Sequence, residues 1–238
     1  MKTLGLIGGM SWESTTHYYQ LLNRMARDRL GPMHSAALIL WSVDFGPIAE
    51  MQARGDWAGA TAVMVEAARR LEGAGAQGLL ICANTMHRMA DEVPAAISIP
   101  LIHVADVTAA AVRAAGVQRS LLLATRYTME QGFYRNRLAR HGVEALIPDH
   151  ADRDRLHRII FEELVQGVLD PGSKVAMLNM IEAARRDRGV DGVILGCTEF
   201  GLLIRPGDLD LPVFDTAEIH AEAGMAFALE GTVLRREL

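Results

Sequence analysis

The sequence predicts an α/β protein made of two pseudo-symmetric lobes, each with a parallel sheet, and an active site between them. The main observation is an internal repeat of four segments, which occur in the same order in both halves of the 238-residue chain. The first copies begin at residues 4, 64, 78 and 99, and the second copies at 121, 180, 192 and 211. A second observation is the order strand–helix–strand, which favours parallel strands joined by right-handed crossovers. Ligands in such sheets bind beyond the carboxyl ends of the strands, so each lobe is expected to supply one wall of the site.

The repeat is clearest where MVEAARR at 64–70 matches MIEAARR at 180–186, and where GLLICANT at 78–85 matches GVILGCTE at 192–199. The spacing between copies falls from 117 residues (121 − 4) to 112 (211 − 99), as small deletions in loops would make it. In this register, the residue that matches Cys197 is Ala83 and not its neighbour Cys82.

In the first half, the apolar run 4–7 ends in a glycine pair, which indicates a buried strand and a sharp turn. Ser11 is expected to cap a helix over about 12–29, because short hydroxyl side chains accept hydrogen bonds from the free N–H groups of a first turn. The other elements predicted here are a strand over 37–43, a helix over 56–72, a strand over 79–82, a helical turn over 86–92 and a helix over 104–115.

The second half repeats this order. The elements predicted are a strand over 121–124, helices over 129–141, 153–168 and 174–188, a strand over 193–195 and a last helix over 218–229. Alternating acids and bases over 148–155 are typical of a solvated surface loop. Because the apolar pair at 213–214 repeats the strand near residue 99, the last helix is expected to return to the first lobe. The predicted lobes are therefore residues 1–98 with 212–238, and residues 99–211.

Composition is that of an ordinary globular protein: half of the residues are hydrophobic and the net charge is −5. A mildly acidic balance argues against a nucleic-acid or membrane partner, and no apolar run approaches the roughly 20 residues that span a bilayer. The chain leads at once into a predicted strand, so no signal peptide is expected. Two cysteines far apart in such a chain are expected to be reduced thiols in the cytoplasm. A Cys82–Cys197 disulfide is the formal alternative.

Cys197 follows an apolar strand at a point where a helix or turn begins. Backbone N–H groups and a helix dipole at that place are expected to lower the pKa of the thiol from about 8.5 toward neutrality. Such a thiol can act as a nucleophile or as a general acid and base. The alternative is a buried structural cysteine.

Short polar side chains occur at four equivalent strand ends, namely Ser11, Asn84 with Thr85, Thr128, and Thr198. Together they predict a cradle for a carboxylate or phosphate, although helix capping explains any single one. The glycine spacing fits neither a dinucleotide nor a nucleoside triphosphate site, so no such cofactor is expected. The histidines show no metal-ligand spacing; His87, His103 and His220 either face the site or pack in the core.

Three motifs carry a resemblance to a known family. GGMS at 8–11, NTMH at 84–87 and GCTE at 196–199 resemble the aspartate/glutamate racemase family, and most of all its bacterial branch with broad acidic amino-acid substrates. The resemblance extends over essentially the whole chain. It implies two flavodoxin-like lobes, racemisation between two cysteines without pyridoxal phosphate or another cofactor, and a homodimer.

The resemblance also implies roles for individual residues. Cys197 would be the catalytic acid and base, and it would act on the proton of the L-face, so that L-aspartate or L-glutamate is expected to be the better substrate. Lys174 would pair with the side-chain carboxylate of the substrate; without the resemblance, it and Gln52 look like ordinary surface residues. The residues expected to line the substrate are Met10, Ser11, Gln52, Ala83, Asn84, Thr85, Thr198 and Glu199.

The chain departs from the family at Ala83. The first catalytic cysteine of the family immediately precedes Asn-Thr, and a methyl group at this position transfers no proton. Cys82 is adjacent, but strand side chains alternate, so it is expected to point to the other face as a buried core thiol unless a β-bulge turns it inward.

Three functions remain open from the sequence. The chain is expected to be a lopsided racemase, in which Cys197 serves one face and water or a hydroxyl such as that of Thr85 serves the other. The alternatives are a single-cysteine decarboxylase or isomerase of the same superfamily, and a non-catalytic protein that binds an acidic metabolite.

Overall fold

The structure is a computed structural model that describes residues 1–205 and 207–230. It confirms the predicted α/β class with parallel sheets. The strands are β1 (Leu4–Gly8), β2 (Leu38–Ser42), β3 (Gly78–Ile81), β4 (Arg119–Ala124), β5 (Glu144–Leu146), β6 (Gly192–Gly196) and β7 (Val213–Asp215). The helices are α1 (Trp12–Leu30), α2 (Phe45–Arg54), α3 (Trp57–Gly73), α4 (Glu92–Ala95), α5 (Val104–Ala114), α6 (Arg126–Glu130), α7 (Phe133–Arg140), α8 (His150–Arg158), α9 (Pro171–Arg188), α10 (Phe200–Leu203) and α11 (Thr216–Leu229).

Two sheets organise the chain, and every strand pair in them is parallel. The first sheet has the order β2-β1-β3, and an isolated parallel bridge joins Leu79 of β3 to Leu101. The second sheet has the order β5-β4-β6-β7. In both sheets, the first strand of the unit lies between its second and third strands, and a later segment pairs with the third strand. This is the order of a doubly wound, flavodoxin-like sheet.

The internal repeat is visible in the backbone hydrogen bonds. The N–H of Leu79 donates to the carbonyl of Pro100, and the N–H of Val193 donates to that of Pro212, both at 2.9 Å. These pairs preserve the spacing that matches Ala83 with Cys197. The strand ladders differ from the sequence repeat by one residue. Leu4 lies opposite Gly78, but the residue opposite Gly192 is Ser120 and not Leu121, which the repeat matches with Leu4.

The chain divides into two compact units. The first unit contains residues 1–103 and the segment that begins at His220; the second contains residues 104–219. Both boundaries fall later than those expected from the sequence, because Leu101 pairs with β3 of the first unit and β7 pairs with β6 of the second. Residues 231–238, which the sequence assigns to the first lobe, lie outside the described residues.

Each unit has a hydrophobic core of its own. In the first unit it forms where Ile7 and Ile81 of the sheet pack against Met64 and Leu71 of α3. In the second unit it forms around β4 and β6, whose residues Leu121–Ala124 and Val193–Leu195 are all buried. No helix in the two described ranges is long and apolar enough to cross a membrane.

Several local expectations were wrong. The segment 148–155 is not a loop, because Asp149 caps α8 by accepting a hydrogen bond from the N–H of Asp152 at 2.9 Å. The helix expected over 129–141 is divided into α6 and α7 at Gly132, whose φ is 71°. Helix α2 and strand β5 were not predicted at all.

Candidate active site

The carboxyl end of β6 carries Cys197, the catalytic residue that the resemblance implies. The Cys197 Sγ donates a hydrogen bond to Oε2 of Glu199 at 3.0 Å, and the Thr198 hydroxyl donates to the same oxygen at 2.9 Å. All three residues are buried. The thiol is therefore paired with a carboxylate that can accept its proton, and Thr198 holds that carboxylate in place.

The pKa of the Cys197 thiol is raised well above its ordinary value, so the lowered pKa expected from the sequence was wrong. Burial is the largest cause, and the charge of Glu199 and the hydrogen bond to it add to the increase. The hydrogen bond from the backbone N–H of Glu199 lowers the pKa, as expected, but burial and the Glu199 side chain raise it by more. Helix α10 is too short, at 4 residues, to contribute a strong dipole. The thiol is therefore neutral at rest, and its thiolate is a strong base.

Asp215, the last residue of β7, brings a second carboxyl group close enough to raise the pKa of Cys197 further. Its Oδ1 caps α11 by accepting hydrogen bonds from the N–H groups of Ala217 at 2.8 Å and Glu218 at 3.3 Å. Its Oδ2 lies directly against Gly201, where any Cβ would clash with it. Burial, followed by the charge of Glu218, raises the pKa of Asp215 to about 6.

Asp215 was missed by sequence reasoning. The repeat contained a signal for it, because the match of 99–106 with 211–218 sets Asp215 opposite His103. Both residues immediately precede a helix that follows the fourth strand position of a unit.

Lys174 lies in the first turn of α9, also in the second unit. Its Nζ forms an ion pair with Oδ2 of Asp208 at 2.7 Å, and both side chains are partly exposed. The hydrogen bond from Lys174 is the largest cause of the lowered pKa of Asp208. The lysine predicted to bind a substrate carboxylate is thus already bound to a carboxylate of the chain.

In the first unit, the end of β3 places Ala83 where the second unit has Cys197. The N–H of Cys82 donates to the carbonyl of Ile7 at 2.9 Å, so the strand pairing continues through Cys82. Its side chain is fully buried, as predicted, and burial raises the pKa of the thiol. Both cysteines are free thiols. This strand end therefore offers a methyl group where the resemblance implies a first catalytic cysteine.

Asn84 and Thr85 are buried in the turn that follows Ala83, and Thr85 begins a 3₁₀ turn, Thr85–Met89. Gln52, which the sequence suggests is a surface residue, is buried as well. Its Nε2 lies 3.2 Å from Sδ of Met86, so α2 brings the amide to the turn that contains Thr85. Three of the residues expected to bind substrate are therefore neighbours.

The loop after β1 contains Met10 and Ser11, both of them buried. Ser11 caps α1 as predicted, because its side chain accepts a hydrogen bond from the N–H of Ser14 at 3.3 Å. The corresponding expectation for Thr128 was wrong. Thr125 caps α6 after β4, and Thr128 lies inside that helix with its N–H bonded to the Thr125 hydroxyl.

Three histidines cluster behind Ala83 in the first unit. His87 Nδ1 lies 2.9 Å from the carbonyl oxygen of Ala83, and the ring of His103 lies 4.7 Å from that of His87, centroid to centroid. The ring of His220 lies 5.5 Å from that of His87, centroid to centroid. All three are buried, so they are packed residues of this unit as well as neighbours of the strand end.

His220 is held as a neutral ring. Its Nε2 bonds to the carbonyl oxygen of Ile102 at 2.7 Å, which requires this nitrogen to donate, and its Nδ1 bonds to the Tyr18 hydroxyl at 2.8 Å. Burial, followed by the charge of His87, lowers the pKa of His220 to about 3. Within residues 1–205 and 207–230, no group of three or more His, Cys, Asp or Glu side chains could hold a metal ion.

Comparison with known proteins places these features in a family. A model of the Asp/Glu/hydantoin racemase family matches residues 7–224. A Yersinia pestis protein provisionally assigned as an Asp/Glu racemase is 49% identical, with a TM-score of 0.88 over 96% of this chain and 100% of that one. An aspartate racemase homologue from Pyrococcus horikoshii is 36% identical, with a TM-score of 0.84 over 96% and 99% of the two chains.

An aspartate racemase from Picrophilus torridus is 24% identical, with a TM-score of 0.79 over 99% of this chain and 96% of that one, which shows the likeness of fold alone. The family model covers most of the chain, and the first two similarities run from end to end. The chain belongs to the Asp/Glu/hydantoin racemase family.

Proposed function

We propose that this protein is a cofactor-independent racemase of acidic amino acids, aspartate or glutamate, with Cys197 as its one catalytic thiol. The observation that carries this proposal is the buried hydrogen bond from the Cys197 thiol to the Glu199 carboxylate. Family membership supports the racemase class, and the local geometry supports the assignment of the acid and base.

The chemistry requires a strong base, because the α-proton of an amino acid is weakly acidic. In the proposed step, Cys197 passes its proton to Glu199, and the thiolate then removes the α-proton of the substrate. The raised pKa suits this task, since a thiolate of high pKa binds a proton tightly. The negative charge left on the substrate spreads into its α-carboxylate, where fixed N–H and hydroxyl donors stabilise it.

Substrate contacts in the first unit are proposed for the buried side chains at the ends of β1 and β3. These are Met10, Ser11, Gln52, Asn84 and Thr85. Their burial and their short polar groups support binding of a carboxylate, although hydrogen bonding to the backbone already occupies Ser11. A substitution such as Asn84→Ala is expected to raise KM more than it lowers kcat, if the contact is made equally in the ground and transition states.

Lys174 is proposed to bind the side-chain carboxylate of the substrate. Its ion pair with Asp208 supports this, because it shows a lysine placed to hold a carboxylate that an acidic substrate can replace. Lys174→Met should therefore raise KM for aspartate and glutamate, whereas Asp208→Asn should lower it by removing the competitor.

Ala83 makes the reaction asymmetric. Two enantiomers have the same free energy in water, so the net conversion of L to D and of D to L must have equal kcat/KM. The asymmetry therefore shows in isotope exchange: the enantiomer whose proton faces Cys197, proposed to be the L-form, takes up solvent deuterium faster. The experiment is proton NMR in deuterium oxide with L- and D-forms of both amino acids, with and without aminooxyacetate, which inactivates pyridoxal phosphate enzymes.

The same residue favours a second function. A single thiol that protonates one face of an enolate would serve a decarboxylase, and the Ala83 methyl group in place of a second acid is the feature that such an enzyme would have. Release of carbon dioxide from substituted malonates, lost in Cys197→Ser, would support it. Binding of an acidic metabolite without isotope exchange would instead indicate a non-catalytic protein, detected as a rise in Tm that Cys197→Ser retains.

We also propose a homodimer, formed through β2 and α1. Strand β2 is an edge strand whose Leu40 and Trp41 are 44% and 37% exposed, and α1 exposes Trp12 and Tyr19 by 63% and 52%. Leu40 and Thr15 of α1 both lie over Gly8, so the Leu40 side chain is on the face of the sheet that α1 covers. An apolar edge of this kind favours pairing with another chain. Leu40→Lys should shift the mass measured by light scattering from dimer to monomer, whereas a wild-type monomer would contradict the proposal.

A further inference from the structure

We propose that the second unit holds a binding site for a free amino acid, taken up as its zwitterion, in a cavity between α8 and the first turn of α9. The cavity has a volume of about 360 Å³, which is within the range of small-molecule sites. Its lining is polar with one exception and consists of Arg155, Arg158, Ile159, Glu162, Glu163 and Ser173. None of these residues is assigned a role in the proposed reaction, so the site goes beyond the proposed function.

A π-helical turn brings one wall of the cavity to α9. This single turn, Ile159–Glu163, directly follows α8, and the N–H of Leu164 donates to the carbonyl groups of Ile159 and Ile160, five and four residues back. Such turns are rare and occur frequently at functional sites. The turn ends at Glu163, whose Oε1 accepts a hydrogen bond from the Ser173 hydroxyl at 2.9 Å. The Glu163 carboxylate is therefore fixed against the first turn of α9.

One oxygen of this carboxylate lacks a donor. Oε2 of Glu163 is buried, and within residues 1–205 and 207–230 it has no hydrogen-bond partner. Buried polar atoms are nearly always paired, and an unpaired one is costly, above all when its group is charged. The Ser173 hydroxyl is already used at Oε1. A donor that enters the cavity beside Glu163 would supply the missing hydrogen bond, and an ammonium group would also match its charge.

Two arginines supply positive charge to the same cavity. Arg155 and Arg158 are three residues apart on α8, so their side chains lie on one face of the helix. Both are exposed, and neither forms an ion pair in the part of the chain that the structure describes, whereas Arg153 of the same helix pairs with Glu130 at 2.7 Å. A guanidinium group binds a carboxylate through a planar fork of donors. This pair is therefore available to a carboxylate of the ligand.

The mixture of charges selects the class of ligand. A simple anion such as phosphate would be repelled by Glu162 and Glu163, and a simple amine would be repelled by the two guanidinium groups. A free amino acid carries a carboxylate and an ammonium group on one carbon atom, so it can pair with both kinds of side chain. Ile159 offers an apolar contact to its side-chain carbons.

Calorimetric titration of the full chain with L-glutamine tests the site. Glutamine is a zwitterion, but it lacks the side-chain carboxylate that Lys174 is proposed to bind. Two matched probes each lack one charged group: glutaramate has no ammonium group, and 4-aminobutanamide has no carboxylate. L-Glutamine is expected to bind, and each probe should bind more weakly by roughly tenfold or more, because each has lost one charge-assisted hydrogen bond.

Variants of the lining separate the two charges. Glu163→Gln keeps an oxygen that accepts from the Ser173 hydroxyl but loses the negative charge, so it should raise the Kd of L-glutamine by roughly tenfold or more. Arg158→Gln changes an exposed side chain, should have a similar effect, and decides the question if Glu163→Gln does not fold. Arg113→Gln, at an exposed arginine of α5 in the same unit, is the matched control and should leave the Kd unchanged.

Three results would overturn the site. They are absence of L-glutamine binding to wild type at millimolar concentration, equal affinity for glutaramate, and a Kd that is unchanged in Arg158→Gln but raised in Lys174→Met. The last result would place glutamine at the residue proposed to bind substrate. None of these measurements depends on isotope exchange, so failure of this site and failure of the proposed racemase function are distinguishable.

Discussion

The two units end equivalent strands with different chemistry. After β6, a thiol is surrounded by the carboxyl groups of Glu199 and Asp215; after β3, a methyl group is backed by the imidazoles of His87 and His103. The backbone hydrogen bonds that precede these residues are nearly the same in both units. The difference teaches that the repeat preserves positions in the fold, while the side chains at those positions change in chemistry.

Burial acts on both strand ends in the same sense, because it disfavours whichever form is charged. It raises the pKa of Cys197 and Asp215, and it lowers the pKa of His220. Thiol, carboxyl and imidazole are all held toward their neutral forms. The two units therefore differ in their titratable residues, but burial acts on those residues by the same physical rule.

The largest effect is expected from removing the thiol of the second unit. Cys197→Ser should reduce deuterium uptake from L-glutamate by more than about 10³-fold, since a hydroxyl is a far weaker acid than a thiol. The matched control is Cys82→Ala, which removes the buried thiol of the first unit. It should cost about 1 kcal/mol of stability and leave uptake intact. Loss of activity in Cys82→Ala alone would reverse the assignment of the two cysteines.

Removal of the proton acceptor should have the next largest effect. Glu199→Gln retains an oxygen that can accept from Thr198 but not a carboxylate that can take the thiol proton, so uptake should fall by roughly 10²-fold. The pKa of Cys197 should also fall, because Glu199 contributes to its increase. The pH dependence of alkylation by iodoacetamide measures that change. The exposed Glu182→Gln should alter neither quantity; a Cys197 pKa that is unchanged in Glu199→Gln would show that burial acts alone.

Much of the fold follows from the sequence, because short apolar runs, glycine stops and a spaced repeat are local features. The capping of α1 by Ser11 was predicted from such local features, and so was the burial of Cys82. The burial of Gln52 depends on packing of α2 against the turn at Met86, which no local pattern encodes. The pKa of Cys197 was predicted with the wrong sign, since its direction depends on where the Glu199 side chain points and on how short α10 is.

Gly201→Ala tests the close approach that distinguishes the second unit. Its Cβ would clash with Oδ2 of Asp215, so the substitution should destabilise the protein by about 1–3 kcal/mol in urea unfolding. At Gly73, the last residue of α3, a Cβ meets no atom within 4 Å, so Gly73→Ala should be neutral or slightly stabilising. Equal costs at the two sites would show that Asp215 does not occupy this place.

Asp215→Asn should have the smallest effect, and its sign depends on pH. Folding raises the pKa of Asp215 from 3.8 to about 6, so the folded state binds this proton more tightly than the unfolded state does. The contribution to stability is present below about pH 4 and is lost as the pH rises through 6. Asparagine still caps α11, so the variant should be more stable than wild type at pH 8, by roughly 1–2 kcal/mol, but not at pH 4.

Asp208→Asn is the control of opposite sign. The hydrogen bond from Lys174 lowers the pKa of Asp208. The contribution of Asp208 to the free energy of unfolding is therefore present at neutral pH and is lost as the pH falls through that lowered pKa. Urea unfolding at pH 4 and pH 8 measures both variants. A stability gain at pH 8 in both would contradict the account of Asp215.

The most direct test of the central claim, that one thiol makes the site asymmetric, is deuterium uptake at the α-carbon of L- and D-glutamate by wild type and Ala83→Cys. Wild type is expected to label the L-form at least about tenfold faster than the D-form, a difference of roughly 1.4 kcal/mol in barrier. Ala83→Cys is expected to bring the two rates together by raising uptake from the D-form. Equal uptake from both enantiomers in wild type, unchanged by Ala83→Cys, would contradict it.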